Sequence, residues 1–130
     1  MANYVDLERD SYFVDDGNDS KVIIRDLADI PGGRALDVSA WSADTIKAGH
    51  IIKHNTSTGA YAPLGITGSN NDTYDSLGDH EEYAGVLKVS VLKTKAFAAI
   101  MTMGEVNVAA SPYAVSDTIK AGLPQIKFLY

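Results

Sequence analysis

The chain has 130 residues, 45% hydrophobic and 22% charged, with no cysteine and a formal net charge of −6. That length and composition describe one globular domain with its own core, not two domains and not a disordered chain. The absence of cysteine excludes disulfides, thiolate metal sites and cysteine nucleophiles, and the absence of a basic stripe argues against nucleic acid as a partner.

The acid is concentrated at the start. Residues 1–40 hold nine acids and four bases, and residues 41–130 hold eight and seven. Met1 to Asp6 shows neither a basic region nor an apolar run, so no signal peptide is expected. No apolar stretch approaches membrane-spanning length, so no membrane partner is expected.

Residues 1–20 read as an extended arm. Tyr4, Val5, Leu7, Tyr12, Phe13 and Val14 are scattered among acids and end at the turn cluster Asp15 to Ser20. Such a segment cannot close a core alone, but it can add a strand to another chain's sheet edge. Residues 21–130 then read as a single β-rich domain. Lys21 to Arg25 is a short strand, and Pro31-Gly32-Gly33 is a turn followed by weak alternation from Arg34 to Ser39.

Lys47 to Lys53 is a strand entered through Gly49. It is joined by the turn residues Asn55 to Gly59 to a returning strand at Ala60 to Leu64, with Pro63 favouring an edge. Residues 65–82 read as one long polar loop. Tyr83 to Leu92 alternates, with Leu87, Val89 and Val91 on one face. Lys93 to Lys95 turns, Ala96 to Met103 is a strand apolar on both faces, and Gly104 interrupts it before Glu105 to Val108. Ser111 at the N-cap and Pro112 at N1 predict a short helix over about 112–121, stopped by Gly122 and Pro124. Ile126, Phe128 and Tyr130 close the chain as a strand.

The fold class expected is therefore mainly β: a small antiparallel β domain, a short C-terminal helix and an N-terminal arm. The hexapeptide Asp44 to Gly49 returns unchanged as Asp117 to Gly122. The first copy runs into apolar, β-leaning residues and the second into Pro124. Context then predicts a turn into a strand for one copy, and the last turn of a helix for the other.

No chemistry-bearing motif is present. There is no P-loop, no dinucleotide fingerprint and no nucleophile elbow, so the chain is not expected to be an enzyme, and a small hydrolase is the weakest of the functional readings. No catalytic residue, metal site or cofactor is assigned. His50 and His54, on one strand, would project about 13 Å apart at roughly 3.3 Å per residue, too far to share a metal. Asp72, Asp75, Asp79, His80, Glu81 and Glu82 lack EF-hand spacing and read as a solvated acidic loop. Among aromatic groups that could stack on a sugar, Trp41 and Tyr61 read as core. Tyr74, in the polar loop beside Asp75, reads as the exposed candidate.

From Asp44 onward the chain resembles the capsid decoration proteins of tailed bacteriophages, the lambda-type head-decoration and head-fibre proteins. The residues that carry this are Thr45-Ile46-Lys47-Ala48-Gly49-His50-Ile51-Ile52 and Thr58-Gly59-Ala60-Tyr61-Ala62-Pro63-Leu64. Next come Tyr83-Ala84-Gly85-Val86-Leu87 and Met103-Gly104-Glu105-Val106-Asn107, then Ile119-Lys120-Ala121-Gly122-Leu123-Pro124-Gln125-Ile126-Lys127-Phe128-Leu129. They span about two-thirds of the chain.

The resemblance implies a structural protein, made in the host cytoplasm and carried on the outer capsid surface of the virion. It would bind as a homotrimer and stabilise the head. Its partners would be the major capsid protein and its own copies, with the arm from Ala2 to about Asp19 reaching onto capsid subunits. The strong acidity of the arm departs from any simple rule and requires a basic or neutral groove. The alternative is a displayed binding module that presents the 65–82 loop, through Tyr74 and Asp75, to a glycan or host surface.

Overall fold

The computed structural model describes residues 18–68, 70 and 72–130. The arm candidates Tyr4, Val5, Leu7, Tyr12, Phe13 and Val14 lie outside the described residues. Those described form twelve strands and two short α-helices. In chain order they are α1 (Asp19–Val22), β1 (Ile23–Asp29), β2 (Arg34–Ala35), β3 (Thr45–Ile46), β4 (Ile51–Asn55), β5 (Tyr61–Pro63), β6 (Ile66–Thr67) and β7 (Thr73–Tyr74). Then follow β8 (Glu81–Leu87), β9 (Val91–Leu92), β10 (Phe97–Ala98), β11 (Ile100–Asn107), α2 (Asp117–Gly122) and β12 (Ile126–Leu129). The protein is mainly β, as the alternation predicts.

Six strands make the main sheet, in the order β1-β11-β8-β4-β5, with β12 beside β11. The long strand β11 changes partner along its length. Ile100 and Met101 pair antiparallel with Leu87 and Val86, and Gly104 to Asn107 pair in parallel with Ile126 to Leu129. The closing strand is thus a parallel element in an otherwise antiparallel sheet.

Successive residues of a strand point to opposite faces. At the centre of this sheet, three strands each place two apolar residues in succession: Ile51-Ile52, Val86-Leu87 and Ile100-Met101. Ile51, Val86 and Met101 enter one core, with Val22, Leu64, Tyr74, Val106, Ile119 and Ile126. Ile52, Leu87 and Ile100 enter the other, with Leu36, Ile46, Val91 and Ala98. All six central residues are 0% exposed. The sheet is covered on both faces at its centre. The single strand expected from Ala96 to Met103 is corrected: Phe97–Ala98 is a separate strand paired with β2 outside this sheet, β11 begins at Ile100, and Phe97 is 63% exposed.

The hairpin of β4 and β5 forms as expected, with Lys53 opposite Ala62 and His54 opposite Tyr61. Asn55 accepts from the amides of Ser57 and Thr58 at 2.9 and 3.0 Å and so shapes the turn. Pro63 lies on an edge strand. The two hexapeptides differ in conformation: Asp44 to Gly49 contains β3 and a turn, and Asp117 to Gly122 is helix throughout.

Several expectations are corrected. Asn18 and Asp19 belong to the domain, not the arm. The Asp19 carboxylate accepts from the amide and hydroxyl of Ser90 at 2.9 and 2.8 Å, and α1 precedes the strand expected at Lys21. Residues 65–82 are not one loop, since β6 and β7 pair within them. The strand expected from Tyr83 to Leu92 ends at Leu87, and Val89 is 50% exposed. Polar anchors on both sides of Val89 override the alternation: Lys88 pairs with Asp26 and Asp29, and Ser90 holds Asp19 and the Ala48 amide.

Gly104 does not interrupt a strand. It lies inside β11, where a Cβ would strike the Arg25 carbonyl of β1. The helix does not begin at Ser111. Asn107 caps a 3-10 turn at Val108–Ala110, and the Ser111 hydroxyl donates back to the Asn107 carbonyl at 3.3 Å. Ser116 is the N-cap, accepting from the Ile119 amide at 3.3 Å. Gly122 is the last helical residue and Leu123 the C-cap.

Gly49 and Gly59 both have positive φ, +91° and +78°. Space separates them: a Cβ on Gly49 meets the buried Val22 side chain, and one on Gly59 meets nothing within 4 Å. Urea unfolding should therefore show Gly59→Ala losing about 1 kcal/mol, the left-handed strain alone. Gly49→Ala should lose about 2 kcal/mol or more, because overpacking of Val22 is added to that strain.

Candidate functional site

The outer side of the β4–β5 hairpin, the segment 37–43 and the strand ends near Gly65 and Asp75 enclose an open cleft of ≈ 660 Å³. Lys53, Asn55, Ala60 and Ala62 line it, together with Trp41 and Tyr113. Small residues at Ser39, Ala40, Ser42 and Ala43 leave the space open.

Local bonding fixes the rim. The Asp37 amide donates to the Tyr61 carbonyl at 2.7 Å. One oxygen of the Asp37 carboxylate accepts from both the hydroxyl and the amide of Ser39, at 2.7 and 3.1 Å. Those two bonds, the hydroxyl first, hold the Asp37 carboxyl below its ordinary value. Trp41 is clamped by its indole N–H on the Thr45 carbonyl at 3.0 Å and by Lys93 on its own carbonyl. Lys53 bonds Glu81 at 2.8 Å. The Lys53 bond, and then one from the Gly78 amide at 2.7 Å, keep the Glu81 carboxyl below its usual value. The Asp75 side chain has no hydrogen-bonding or ionic partner among the described residues, and its amide donates to the Gly65 carbonyl at 2.8 Å.

His50 lies in the interior, beside Trp41 and Tyr113 of this lining. It precedes β4 and is 0% exposed, so it is not an ordinary polar strand position. Its ring meets Trp41, Tyr74 and Tyr113 edge-on, with centroids 4.9, 5.1 and 5.7 Å away. Nε2 donates to the Leu64 carbonyl at 2.8 Å, which leaves Nδ1 as a buried acceptor with no partner among the described residues. Burial lowers its pKa to about 4, against the smaller opposing effect of the Leu64 carbonyl.

The two residues of the proposed surface loop separate here. Tyr74 is buried at 8% exposure, not exposed. Its oxygen accepts from the Ile51 amide at 3.2 Å, and burial pushes the phenol well above its ordinary range. The polar residues around Tyr74 suggest exposure, but β7 turns the ring inward onto His50. Asp75, the next residue, faces the cleft.

The remaining acidic residues of the segment disperse. Glu82 bonds His54 at 2.9 Å and Asp72 accepts from Thr73 at 3.2 Å. Among the described residues no group of three or more histidine or acidic side chains is placed to hold a metal ion. Tyr61 stacks on His54 at 4.5 Å and packs on the second core. Asp37 and Tyr113 escape sequence reading. Asp37 lies in a weakly alternating stretch, and Tyr113 lies in what reads as the first turn of a helix.

His50 generates a pH prediction. Its folded pKa of about 4 lies below the ordinary histidine value of 6.5, so the unfolded chain binds the proton more readily between those values. The neutral ring's contribution is then present above about pH 6.5 and is lost as pH falls toward 4. Unfolding free energies of the native chain and His50→Gln should converge or cross over that window. The native advantage should shrink by up to about 3 kcal/mol, and parallel pH profiles would contradict the assignment.

Comparison of the chain with protein-family models, with curated proteins and with solved structures finds no match.

Proposed function

We propose that the chain is a structural protein that decorates the outer surface of a phage head as a homotrimer, binding the major capsid protein through its N-terminal arm. The resemblance described above is one support. The observation that carries the reading furthest is the state of β1. It is an edge strand of seven residues, its outer side unpaired among the described residues. It exposes Ile24 and Leu27 at 44% and 59%.

Edge strands template pairing with other chains, and monomeric proteins usually guard them. Here the edge follows directly on an arm rich in apolar groups, and α1 roots the junction through Asp19, Asn18 and Val22. An apolar N-terminal sequence and an edge unpaired among the described residues are the two halves that strand exchange between copies, or between copy and capsid subunit, requires. Attachment in threes multiplies a weak single contact by avidity. Binding only the assembled lattice stabilises that lattice by linkage. The alternative of a loop built around Tyr74 loses its support, because Tyr74 is buried.

The test uses empty shells assembled from the capsid protein encoded beside this gene. The full chain should co-sediment with those shells and protect them against heat. A chain lacking residues 1–17 should keep its far-ultraviolet dichroism and fail to co-sediment. Retained binding by the truncated chain, or the absence of a capsid gene in the neighbourhood, would overturn the reading.

A further inference from the structure

We infer that the cleft between Trp41, Tyr113 and the β4–β5 hairpin is a binding site for a short neutral saccharide. Its volume of ≈ 660 Å³ falls within the roughly 300–1,000 Å³ of small-ligand sites. The inference does not rest on the capsid reading and uses none of residues 1–17.

The polar groups on the wall are complementary to hydroxyls. Asp37 commits one oxygen to Ser39 and leaves the other without a bond among the described residues. Asp75 commits neither. Asn55 uses its carbonyl oxygen on the turn amides, which leaves its NH2 to donate. Two free carboxylate acceptors and one amide donor across a cleft match a ligand whose hydroxyls both donate and accept, and bonds to a carboxylate are the stronger kind. Trp41 and Tyr113 add aromatic surface. The C–H face of a pyranose carries slight positive charge and is attracted to the negative face of such a ring. Both rings are also held by edge-on contact with His50, so little order is lost on binding.

The same groups exclude other ligand classes. An anion would face the carboxylates of Asp37, Asp75 and Glu81 with only Lys53, itself bonded to Glu81, to oppose them among the lining residues. A metal ion finds no three ligands together among the described residues. An apolar ligand would strip water from Asp37 and Asp75 and give nothing in return.

Trp41 is the single tryptophan of the chain, so its fluorescence reports the cleft directly. The full chain should be titrated with maltotriose, cellotriose, chitotriose and, as an acidic probe, 3′-sialyllactose. At least one neutral trisaccharide should give a saturable change in the millimolar range, and sialyllactose should bind more weakly. The double variant Asp37→Ala, Asp75→Ala should bind that trisaccharide about tenfold less well or worse, from the loss of bonds to charged acceptors. Its dichroism should match the native chain. Should the double variant fail to fold, Asp37→Ala alone, at an exposed position, carries the same test with a smaller loss. Flat titrations with all three neutral trisaccharides would overturn the inference, as would affinity unchanged by these substitutions, or tighter binding of sialyllactose.

Discussion

The rest of this fold depends on burying a sheet on both faces at once. Where β4, β8 and β11 meet, each strand offers two apolar residues in succession, one to each core. A one-residue slip in any of the three would exchange the faces of its pair and misplace every neighbour. Register is therefore tightly specified at the centre, and Ile51, Val86 and Met101 pair across three strands in one row. Everything else in the domain is a cover for one face or the other. α1, α2, β7 and β12 close the first core. The 30–46 segment, β9 and β10 close the second.

The two covers meet at His50. Its aromatic neighbours belong to both cores, Trp41 to the second and Tyr74 and Tyr113 to the first. A neutral, buried imidazole at this seam is a compact spacer: one nitrogen satisfies the Leu64 carbonyl and the ring edges fit three aromatic walls. Two of those walls also line the cleft, so the packing of the interior fixes the shape of a surface site. The features proposed to bind partners lie outside this tightly specified centre. The edge of β1, unpaired among the described residues, and the cleft at the β4–β5 hairpin lie at opposite ends of the sheet order. The protein therefore has room for two independent contacts.

Sequence exposes what is locally determined. The hairpin at Asn55 to Gly59 is legible because its turn is closed by side chains within the turn itself. The divergence of the two hexapeptides is legible because Pro124 stands two residues beyond one copy and a strand beyond the other. The break at Lys88 to Ser90 is not legible. The groups that cause it, Asp29 and Asp19, are 59 and 71 residues away along the chain. Ser111 and Ser116 present similar capping chemistry, and only the upstream turn capped by Asn107 decides between them. Tyr74 misleads for the same reason: its polar neighbours describe the loop, but the ring answers to Ile51 and His50. The cleft needs four separate segments brought together, so Asp37 and Tyr113 carry no local mark of a shared site.

The central claim is that a rigid, doubly covered sheet carries its partner contacts at its periphery. Amide hydrogen exchange of the chain, free and bound to capsid shells, tests this most directly. In the free chain the amides of Ile51, Val86, Leu87 and Met101 should exchange slowest. On the shells, new protection should appear in residues 1–17 and along Ile23 to Asp29, with the central strands unchanged. Fast exchange at those central amides, or new protection confined to the cleft and absent from residues 1–29, would contradict the account.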